Sequence, residues 1–394
     1  MGLLLLRYGE IGLKGQNRTY FFRKLRRNVR QCLKANRIEG RVWQDGQRIY
    51  LETGQVAAAV EAVRRVFGLV SLSPVEVVSA ENDHPDLETI AGTAVEVARR
   101  AGLGDGRTFR ASARRADKTF PHISPEIERY VGGAVAAATG APVDLSEPEV
   151  EIGIEVQAGR ALVFGETIPG PGGLPLGSQG KVVALLSSGI DSPVAAWLMM
   201  KRGCSVIPVH FTLGQQQAEQ VNDIVEALNR HAYGWRLRPI YLSHEETVAP
   251  LLDKLRALRR ERWGCLFCKR ALLARAAEIA REHNASALVT GDSLGQVASQ
   301  TLSNLEVISY GIEKPILRPL IGLDKTEIMD LARQIGTYEA SIQASYACPF
   351  LPDRPLTQAS MDKLHKLLDQ MEGTETLLPS SENGGSERWG SNAK

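Results

Sequence analysis

The stretch VVALLSSGIDSPVAAWLMMKRG, from Val182 to Gly203, places an apolar strand, a loop of small polar residues and an apolar helix in direct succession. Small residues in such a loop let backbone N–H groups approach a phosphate closely, and the positive end of the helix dipole favours an anion there. Pro193 suits the first helical turn, where a missing N–H costs nothing. The loop is neither a Walker A sequence nor a G-x-G-x-x-G fingerprint. An ordinary strand-to-helix turn without a ligand is the alternative that this stretch leaves open.

Uniformly apolar strands alternate with helices beyond Gly203, through CSVIPVHFTL, RPIYLS, SALVTG and PILRPL to a helix that begins at Lys325. Strands of this kind are buried on both faces, so the pattern predicts an α/β fold with a doubly wound parallel sheet. Ligands of such sheets bind beyond the carboxyl ends of the strands, where the loop of Ser187 to Ser192 lies. A carboxylate beside a phosphate is unfavourable unless a cation lies between them, so a phosphate site here requires Mg²⁺ at Asp191.

The remaining regions of the chain differ from this one in composition. Residues 1–55 read as an α+β unit with a strand, a basic helix and a hairpin whose turn is Asp45-Gly46. Residues 56–167 alternate helices and strands and end in an antiparallel, half-buried hairpin that turns at Ala158-Gly159. Residues 168–180 are rich in Gly and Pro and read as a linker, 181–372 form the doubly wound domain, and the polar tail 373–394 is expected to be disordered.

The composition places the chain among globular proteins, with 43% apolar and 23% charged residues over 394 positions. No apolar run is long enough for a membrane span, and the apolar start breaks at Arg7, too early for a signal peptide. Five scattered cysteines are too few for a secreted disulfide framework. We therefore expect a cytoplasmic protein that has no membrane partner.

The net charge of +2 conceals a concentration of basic residues in the first half of the chain. Between Arg7 and Arg41 there are eleven Lys or Arg residues and only two acidic residues, and a second basic cluster follows in RTFRASARRADK. Such clusters attract polyanions, although a solvated helix face that binds nothing is the alternative for either one. The residues expected to contact phosphates of RNA or DNA are Lys14, Arg18, Arg23, Arg26, Arg27, Arg30, Arg110, Arg114 and Arg115.

Four stretches together resemble the tRNA 4-thiouridine synthetase family, also called tRNA uracil 4-sulfurtransferases. They are LLSSGIDSPVAAWLMMKRG, ALVTGDSLGQVASQTLSNL, RPLIGLDKTEI and the N-terminal RYGEIGLKGQNRTYFFRKL. The usual phosphate loop of these enzymes is Ser-Gly-Gly-x-Asp-Ser, and here Ser188 stands at the first glycine. The resemblance extends from residue 4 to about residue 355. It implies a ferredoxin-like domain in 1–55, a THUMP RNA-binding domain in 56–167 and a PP-loop ATP pyrophosphatase domain in 181–372.

The resemblance implies ATP-dependent sulfur transfer to tRNA. Uracil O4 is a poor leaving group, so adenylation of O4 at uridine 8 would make AMP the leaving group that sulfur displaces, giving 4-thiouridine. A second role, sulfur transfer to the sulfur-carrier protein of thiamine biosynthesis, is also implied. The alternatives are a PP-loop tRNA-modifying ligase that uses an amine nucleophile and a tRNA-binding protein without catalysis. Cys348 favours the sulfur chemistry, because the amine reaction needs no thiol.

The resemblance also assigns site residues. Asp191 would place Mg²⁺, Lys325 would assist adenylation by stabilising charge on the α-phosphoryl group, and Cys348 would carry sulfur as a persulfide. For Lys325 the structural reading is a first-turn helix residue in a capping box formed by Asp324 and Glu327, and both readings can hold. The expected ATP contacts are Leu185, Leu186, Ser187, Ser188, Gly189, Ser192, His210, Phe211, Lys269, Arg270, Gly291 and Gln300.

Cys265 and Cys268 form a C-x-x-C that opens a helix, where the helix dipole is expected to lower the thiol pKa. With Cys348 they supply three thiolates, which suits a [4Fe–4S] cluster with one open iron. A redox relay, in which Cys265 or Cys268 resolves a disulfide with Cys348, is the second interpretation. Structural zinc or an inert pair is the third.

No rhodanese-like segment is recognisable in the sequence, so we expect the sulfur to come from a partner. The expected partners are tRNA, a sulfur donor that is either a cysteine desulfurase persulfide or sulfide, and a thiamine-pathway carrier protein. The sequence leaves the oligomeric state open, with a homodimer among the alternatives.

Overall fold

The computed structural model describes residues 1–80, 83–343 and 348–372. They form two compact units, the first being Met1–Leu176 and the second beginning at Gly177. The predicted disordered tail 373–394 lies outside the described residues, as do residues 344–347, which include the first three residues of the SYACPFLP stretch, whereas Cys348 is described. No helix in the described ranges is long and apolar enough to cross a membrane.

The described residues of the first unit form eight strands and four α-helices. The strands are β1 (Gly2–Tyr8), β2 (Arg41–Asp45), β3 (Arg48–Thr53), β4 (Leu69–Ser79), β5 (Phe109–Arg115), β6 (Val150–Gln157), β7 (Arg160–Phe164) and β8 (Ile168–Pro169). The helices are α1 (Arg18–Ala35), α2 (Val56–Val63), α3 (Leu87–Arg100) and α4 (Ser124–Thr139).

One long strand, β4, joins the two halves of the sheet in this unit. The strand order is β2-β3-β1-β4-β7-β6-β5, and β8 also pairs with β4. Residues Leu69–Val75 of β4 pair with β1, whereas residues Glu76–Ser79 pair with β7. The two predicted hairpins are confirmed, with Asp45 opposite Arg48 and Gln157 opposite Arg160. Gly46 and Gly159 take positive φ angles of 53° and 74° in their turns, a conformation that favours glycine.

The β6–β7 hairpin is more buried than its alternating sequence predicts. Glu155 of β6, only 4% exposed, receives Nε of Arg48 in β3 at 2.8 Å and Nη2 of the same guanidinium at 3.1 Å. A bidentate arginine pair satisfies the buried carboxylate. The prediction of a half-buried hairpin was wrong. The alternation of apolar and polar residues identifies Glu155 as polar, but it does not show that Arg48, which is distant in the chain, pairs with Glu155 in the buried environment.

In the second unit, the part of the chain that the structure describes forms five strands and eight α-helices. The strands are β9 (Lys181–Leu185), β10 (Ser205–Thr212), β11 (Ile240–Ser243), β12 (Ala287–Val289) and β13 (Ile316–Leu317). The helices are α5 (Asp191–Lys201), α6 (Gln215–Asn229), α7 (His244–Ala257), α8 (Gly264–Glu282), α9 (Leu302–Ser309), α10 (Lys325–Ile335), α11 (Tyr338–Ile342) and α12 (Met361–Glu372).

All strand pairs of the second unit are parallel, which confirms the predicted sheet. The order is β11-β10-β9-β12-β13. The central strand is therefore β9, with β10 and β11 on one side of it and β12 and β13 on the other. Val183, Val209 and Leu288 are fully buried within it. A crevice opens at the carboxyl end of β9 in sheets of this topology, and the loop before α5 lies there.

We expect Arg48→Ala to destabilise the first unit by about 3–5 kcal/mol, because it leaves the buried Glu155 carboxylate without its cation. The measurement is urea denaturation of the full chain combined with hydrogen exchange of the β6 amides. The matched control is Arg236→Ala, whose ion pair with Glu226 is exposed on both sides; its expected effect is under about 1 kcal/mol. Equal effects of the two substitutions would contradict a special role for the Arg48–Glu155 pair.

Candidate active site

The loop after β9 is closed on itself by two serine hydroxyls. The Leu186 N–H donates to the Val209 carbonyl at 2.8 Å and extends the sheet by one residue. The Ser187 N–H donates to Ser192 Oγ at 2.7 Å, and the two hydroxyl oxygens lie 2.9 Å apart. The Gly189 N–H is directed at Ser187 Oγ at 3.3 Å. These bonds fix a tight turn ahead of the N-terminus of α5, which is the arrangement that suits a phosphate group.

Ser188 is compatible with this loop although it stands at a position that is usually glycine in the family. Among the described residues, the non-glycine residues with positive φ are Arg37, Arg259 and Asn284, so Ser188 has an ordinary backbone conformation. Its side chain is largely buried. The serine therefore introduces no backbone strain into the loop.

Gly291, just beyond β12, lies against the backbone at the end of this loop. A Cβ atom added there would lie 2.7 Å from the Ser192 nitrogen and 2.9 Å from the Asp191 carbonyl carbon. No real Cβ atom approaches backbone so closely, so glycine is required at this position by space rather than by φ. The predicted importance of Gly291 thus has a structural explanation independent of any ATP contact.

Asp191 and Lys325, two of the predicted catalytic residues, are in contact at the loop. Lys325 Nζ donates to Asp191 Oδ1 at 2.6 Å, and Gln296 Nε2 donates to Asp191 Oδ2 at 2.9 Å. The predicted capping box at the start of α10 is confirmed, since Asp324 and Glu327 exchange side-chain-to-backbone hydrogen bonds of 2.9 Å. The box fixes the first turn of α10 and with it the root of the Lys325 side chain.

Lys269 and Gln300, two predicted ATP contacts, converge on a residue that the sequence analysis did not single out. Asp292 accepts from Lys269 Nζ at 3.0 Å, from Gln300 Nε2 at 3.2 Å and from Thr290 Oγ1 at 2.7 Å. The Arg318 Nε is 3.4 Å from its second oxygen. Burial alone would raise the pKa of Asp292, but Lys269 and the hydrogen bonds hold it below its ordinary value.

Three other predicted nucleotide contacts have structural partners of their own. Arg270 donates to the carbonyls of Val307 and Tyr310 at 2.6 and 2.8 Å, at the end of α9, and burial lowers its pKa. Phe211 belongs to the buried core of the second unit. His210 places Nδ1 2.7 Å from the Leu186 carbonyl, and burial lowers its pKa, so the neutral imidazole supports the start of the loop.

The three sulfur residues named from the sequence influence one another. Burial raises the pKa of Cys265, and the nearby Cys348 raises it further. Burial, Cys348 and Cys265 raise the pKa of Cys268 to about 12. The prediction of a lowered thiol pKa at the helix start was therefore wrong, because desolvation of the thiolate outweighs the helix dipole. Cys348 is the exposed member of the set.

His244, the first residue of α7, joins this group and was missed from the sequence. Its Nε2 lies 3.3 Å from Cys268 Sγ, and its ring stacks on Phe350 with centroids 5.5 Å apart. The available signal was its position directly after β11, at the carboxyl edge of the sheet. In residues 1–80, 83–343 and 348–372, no group of three or more His, Cys, Asp and Glu side chains is arranged to hold a metal ion.

The predicted RNA contacts lie in the first unit and differ in availability. Arg23, Arg27, Arg30 and Arg114 are exposed, although Arg30 also donates to the Val42 carbonyl at 2.8 Å. Lys14, Arg18, Arg26, Arg110 and Arg115 are half-buried. Arg110 pairs with Glu151 at 2.8 Å, and Arg115 donates to the Phe120 carbonyl at 3.1 Å.

A groove of about 820 Å³ adds one basic residue, Arg48, that the charge clusters did not contain. Arg114, Arg115 and Lys118 line it together with Arg48, and Asp45, Asp117 and Glu155 supply negative charge. Arg48 was missed because its neighbours in the sequence are not basic, and it reaches the groove through the turn between β2 and β3.

Three family models match the chain. The thiamine biosynthesis protein model (ThiI) matches residues 177–372, the ThiI ferredoxin-like domain matches 3–73 and the THUMP domain matches 84–165. Proteins described as probable tRNA sulfurtransferases align over nearly their whole length. The one from Thermococcus kodakarensis is 42% identical over 95% of this chain and 98% of its own. The one from Methanocaldococcus jannaschii is 38% identical over 93% and 97%.

Solved structures agree with these matches. A crystal structure described as a 4-thiouridine synthetase–RNA complex with bound ATP has a TM-score of 0.80 and 32% identity, covering 94% of this chain and 95% of that one. A Pyrococcus horikoshii protein has a TM-score of 0.65 and 29% identity, covering 85% and 100%.

We expect Gly291→Ala to weaken ATP binding about tenfold or more, because the added methyl group must push the loop at Asp191 and Ser192 away from its position. A fluorescent ATP analogue in titration measures the change. Gly322→Ala is the matched control, since a Cβ atom there meets nothing within 4 Å. Unchanged affinity in the Gly291 variant would show that the close approach does not shape the nucleotide site.

Proposed function

We propose that this chain, which belongs to the tRNA sulfurtransferase family, uses ATP to replace a uracil oxygen of tRNA by sulfur. The target that we propose is O4 of uridine 8, and the product is 4-thiouridine. The observation that carries the proposal is the 2.6 Å pairing of Lys325 with Asp191 at the phosphate loop. In this ion pair, the lysine that would assist adenylation contacts the loop that would hold the triphosphate.

The loop supplies the first step. Uracil O4 attacks the α-phosphorus of ATP, pyrophosphate leaves, and the oxygen becomes part of an adenylate. Backbone N–H groups of the Ser187–Ser192 loop and the start of α5 favour the phosphates, and the Lys325 ammonium opposes the negative charge that develops on the α-phosphoryl group. Asp191, whose two carboxylate oxygens accept from Lys325 and Gln296, would supply an oxygen ligand for Mg²⁺, and the ion would neutralise phosphate charge.

The thiols supply the second step. The terminal sulfur of a Cys348 persulfide attacks C4 of the adenylated uracil, and AMP leaves with the former O4. Cys265 or Cys268 then attacks Cys348 Sγ, so the bond to the transferred sulfur breaks, a disulfide forms, and 4-thiouridine is released. A thiol reductant restores the pair. Cys348 is exposed and so accessible to a donor, whereas Cys268 is largely shielded.

The partners follow from the same chemistry. The exposed basic residues of the first unit suit a folded RNA recognised by its phosphates and shape. The sulfur reaches Cys348 by transfer of the outer sulfur of a cysteine desulfurase persulfide to the Cys348 thiolate, whereas free sulfide would serve only the cluster form described below. Transfer to a thiamine-pathway carrier protein would use the same thiol. The thiol set weighs against a ligase with an amine nucleophile, and the unstrained backbone of Ser188 removes the main support for a non-catalytic protein.

We also propose the domain division 1–55, 56–167 and 181–372, with 168–180 as the linker. The boundary at 55 precedes α2, and the beginning of β9 at Lys181 supports the boundary at 181. The strand β4 belongs to both halves of the first unit's sheet, so these two domains share a structural element.

A [4Fe–4S] cluster held by Cys265, Cys268 and Cys348 is a second form of the thiol chemistry. Its support is that the nearby Cys348 raises the pKa of both Cys265 and Cys268. Three cysteines match the ligand number of a cluster with one open iron, which could bind exogenous sulfide. The residues thus match the group in kind and number, but in the described residues they are not arranged to hold a metal ion.

Cys348→Ser should separate the two steps. We expect pyrophosphate release with unmodified tRNA to stay within about threefold of the wild type, and thiolation to fall to background, because only the sulfur nucleophile is removed. Lys325→Ala should lower pyrophosphate release about 100-fold or more, because it removes charge stabilisation at the α-phosphoryl group. Cys204→Ala, a buried cysteine outside the thiol set, is the control. Thiolation by the Cys348 variant at the wild-type rate would refute the assignment.

Anaerobic purification distinguishes the relay from the cluster. The cluster form predicts brown protein with about four Fe per chain, and loss of the iron in Cys265→Ser. Colourless, iron-free protein that thiolates tRNA would exclude the cluster and support the relay.

A further inference from the structure

Asp292 is a buried carboxylate to which four different side chains converge. It lies just beyond the carboxyl end of β12 and is 7% exposed. Lys269 comes from α8, Arg318 follows β13, and Thr290 and Gln300 flank Asp292 in the chain. One carboxylate thus ties together three separate segments at the edge of the sheet where the phosphate loop lies.

Two of these partners have unused hydrogen-bonding capacity. In the part of the chain that the structure describes, Lys269 Nζ donates only to Asp292, and its side chain is 32% exposed. Gln300 is buried, its Nε2 is held by Asp292, and its Oε1 lacks a hydrogen-bond partner among the described residues. A buried acceptor without a donor is unfavourable, so Oε1 is suited to receive an N–H or O–H of a ligand.

The local charge is also suited to an anion. Lys269 and Arg318 carry two positive charges and Asp292 one negative charge, which leaves an excess of one positive charge around a buried carboxylate. Asp292 itself is saturated by its four donors and is less exposed than Lys269. It therefore controls the direction of its neighbours rather than contacting a substrate.

We propose that Asp292 is a positioning residue for adenylation. It holds the Lys269 ammonium toward the triphosphate and fixes the Gln300 carboxamide so that Oε1 faces a hydrogen-bond donor of the nucleotide. This inference rests on the proposed function and assigns a role within the same site. Without the carboxylate, the lysine is free to move and the amide can rotate by 180°, so both partners lose their orientation while the fold is retained.

The test is a mutant cycle in the full chain, with unmodified tRNA, ATP and Mg²⁺, that combines Asp292→Asn with the pair Lys269→Ala and Gln300→Ala. Misplaced catalytic groups cost about 10- to 100-fold in rate, which is the loss in kcat/KM for ATP expected from Asp292→Asn alone. If Asp292 acts through these two partners, the same substitution in the background that lacks both should cost less than about threefold. Multiplicative losses would overturn the inference and identify Asp292 as a structural residue.

Two further variants keep the test decisive. Asp292→Glu retains the charge and should recover part of the activity that the asparagine variant loses; should Asp292→Asn fail to fold, the cycle is run with this variant. Asp330→Asn removes an exposed carboxylate that pairs with Arg333 and should leave kcat/KM unchanged. Wild-type protein that releases no pyrophosphate would refute the proposed function, whereas an active wild type with multiplicative losses would refute only the role of Asp292.

Discussion

The close approach of Gly291 to the backbone of Asp191 and Ser192 is the constraint on which the site depends. It brings the end of β12 against the first turn of α5 and leaves no room for a side chain between them. This contact also positions residues close to Gly291 in the chain, since Thr290, Asp292 and Gln296 all form hydrogen bonds within the same site. The lack of space for a Cβ atom at Gly291 therefore fixes the positions of several polar side chains.

The second unit divides its polar groups into two sets that share Lys269. Asp292, Thr290 and Gln300 form one set beside Gly291, which lies against the phosphate loop. Cys265, Cys268 and Cys348 form the other, and the positive charge of Lys269 acts on the first two thiols while its ammonium binds Asp292. The residue that follows Cys268 in the helix thus connects the phosphate side with the sulfur side of the unit. Such sharing allows both steps of the proposed reaction to use one electrostatic environment.

The sequence predicted those features that are encoded locally. Apolar runs predicted the parallel sheet, Asp45-Gly46 and Ala158-Gly159 predicted the hairpins, and Asp324 with Glu327 predicted the helix cap. Asp292 and His244 were missed because their partners are distant in the chain, and periodicity carries no information about such pairs. The prediction of a lowered thiol pKa was wrong for the same reason. The position of a cysteine in a helix is visible in the sequence, whereas its burial by other elements is not.

The shared strand β4 limits how the first unit can be divided. The ferredoxin-like match ends at residue 73 and the THUMP match begins at residue 84, so the gap between them contains all of the β4 residues that pair with β7. A fragment starting at residue 84 would leave β7 with a bare edge, and unpaired strand edges promote aggregation. An RNA-binding module excised or grafted from this protein would therefore have to carry Glu76–Ser79 with it.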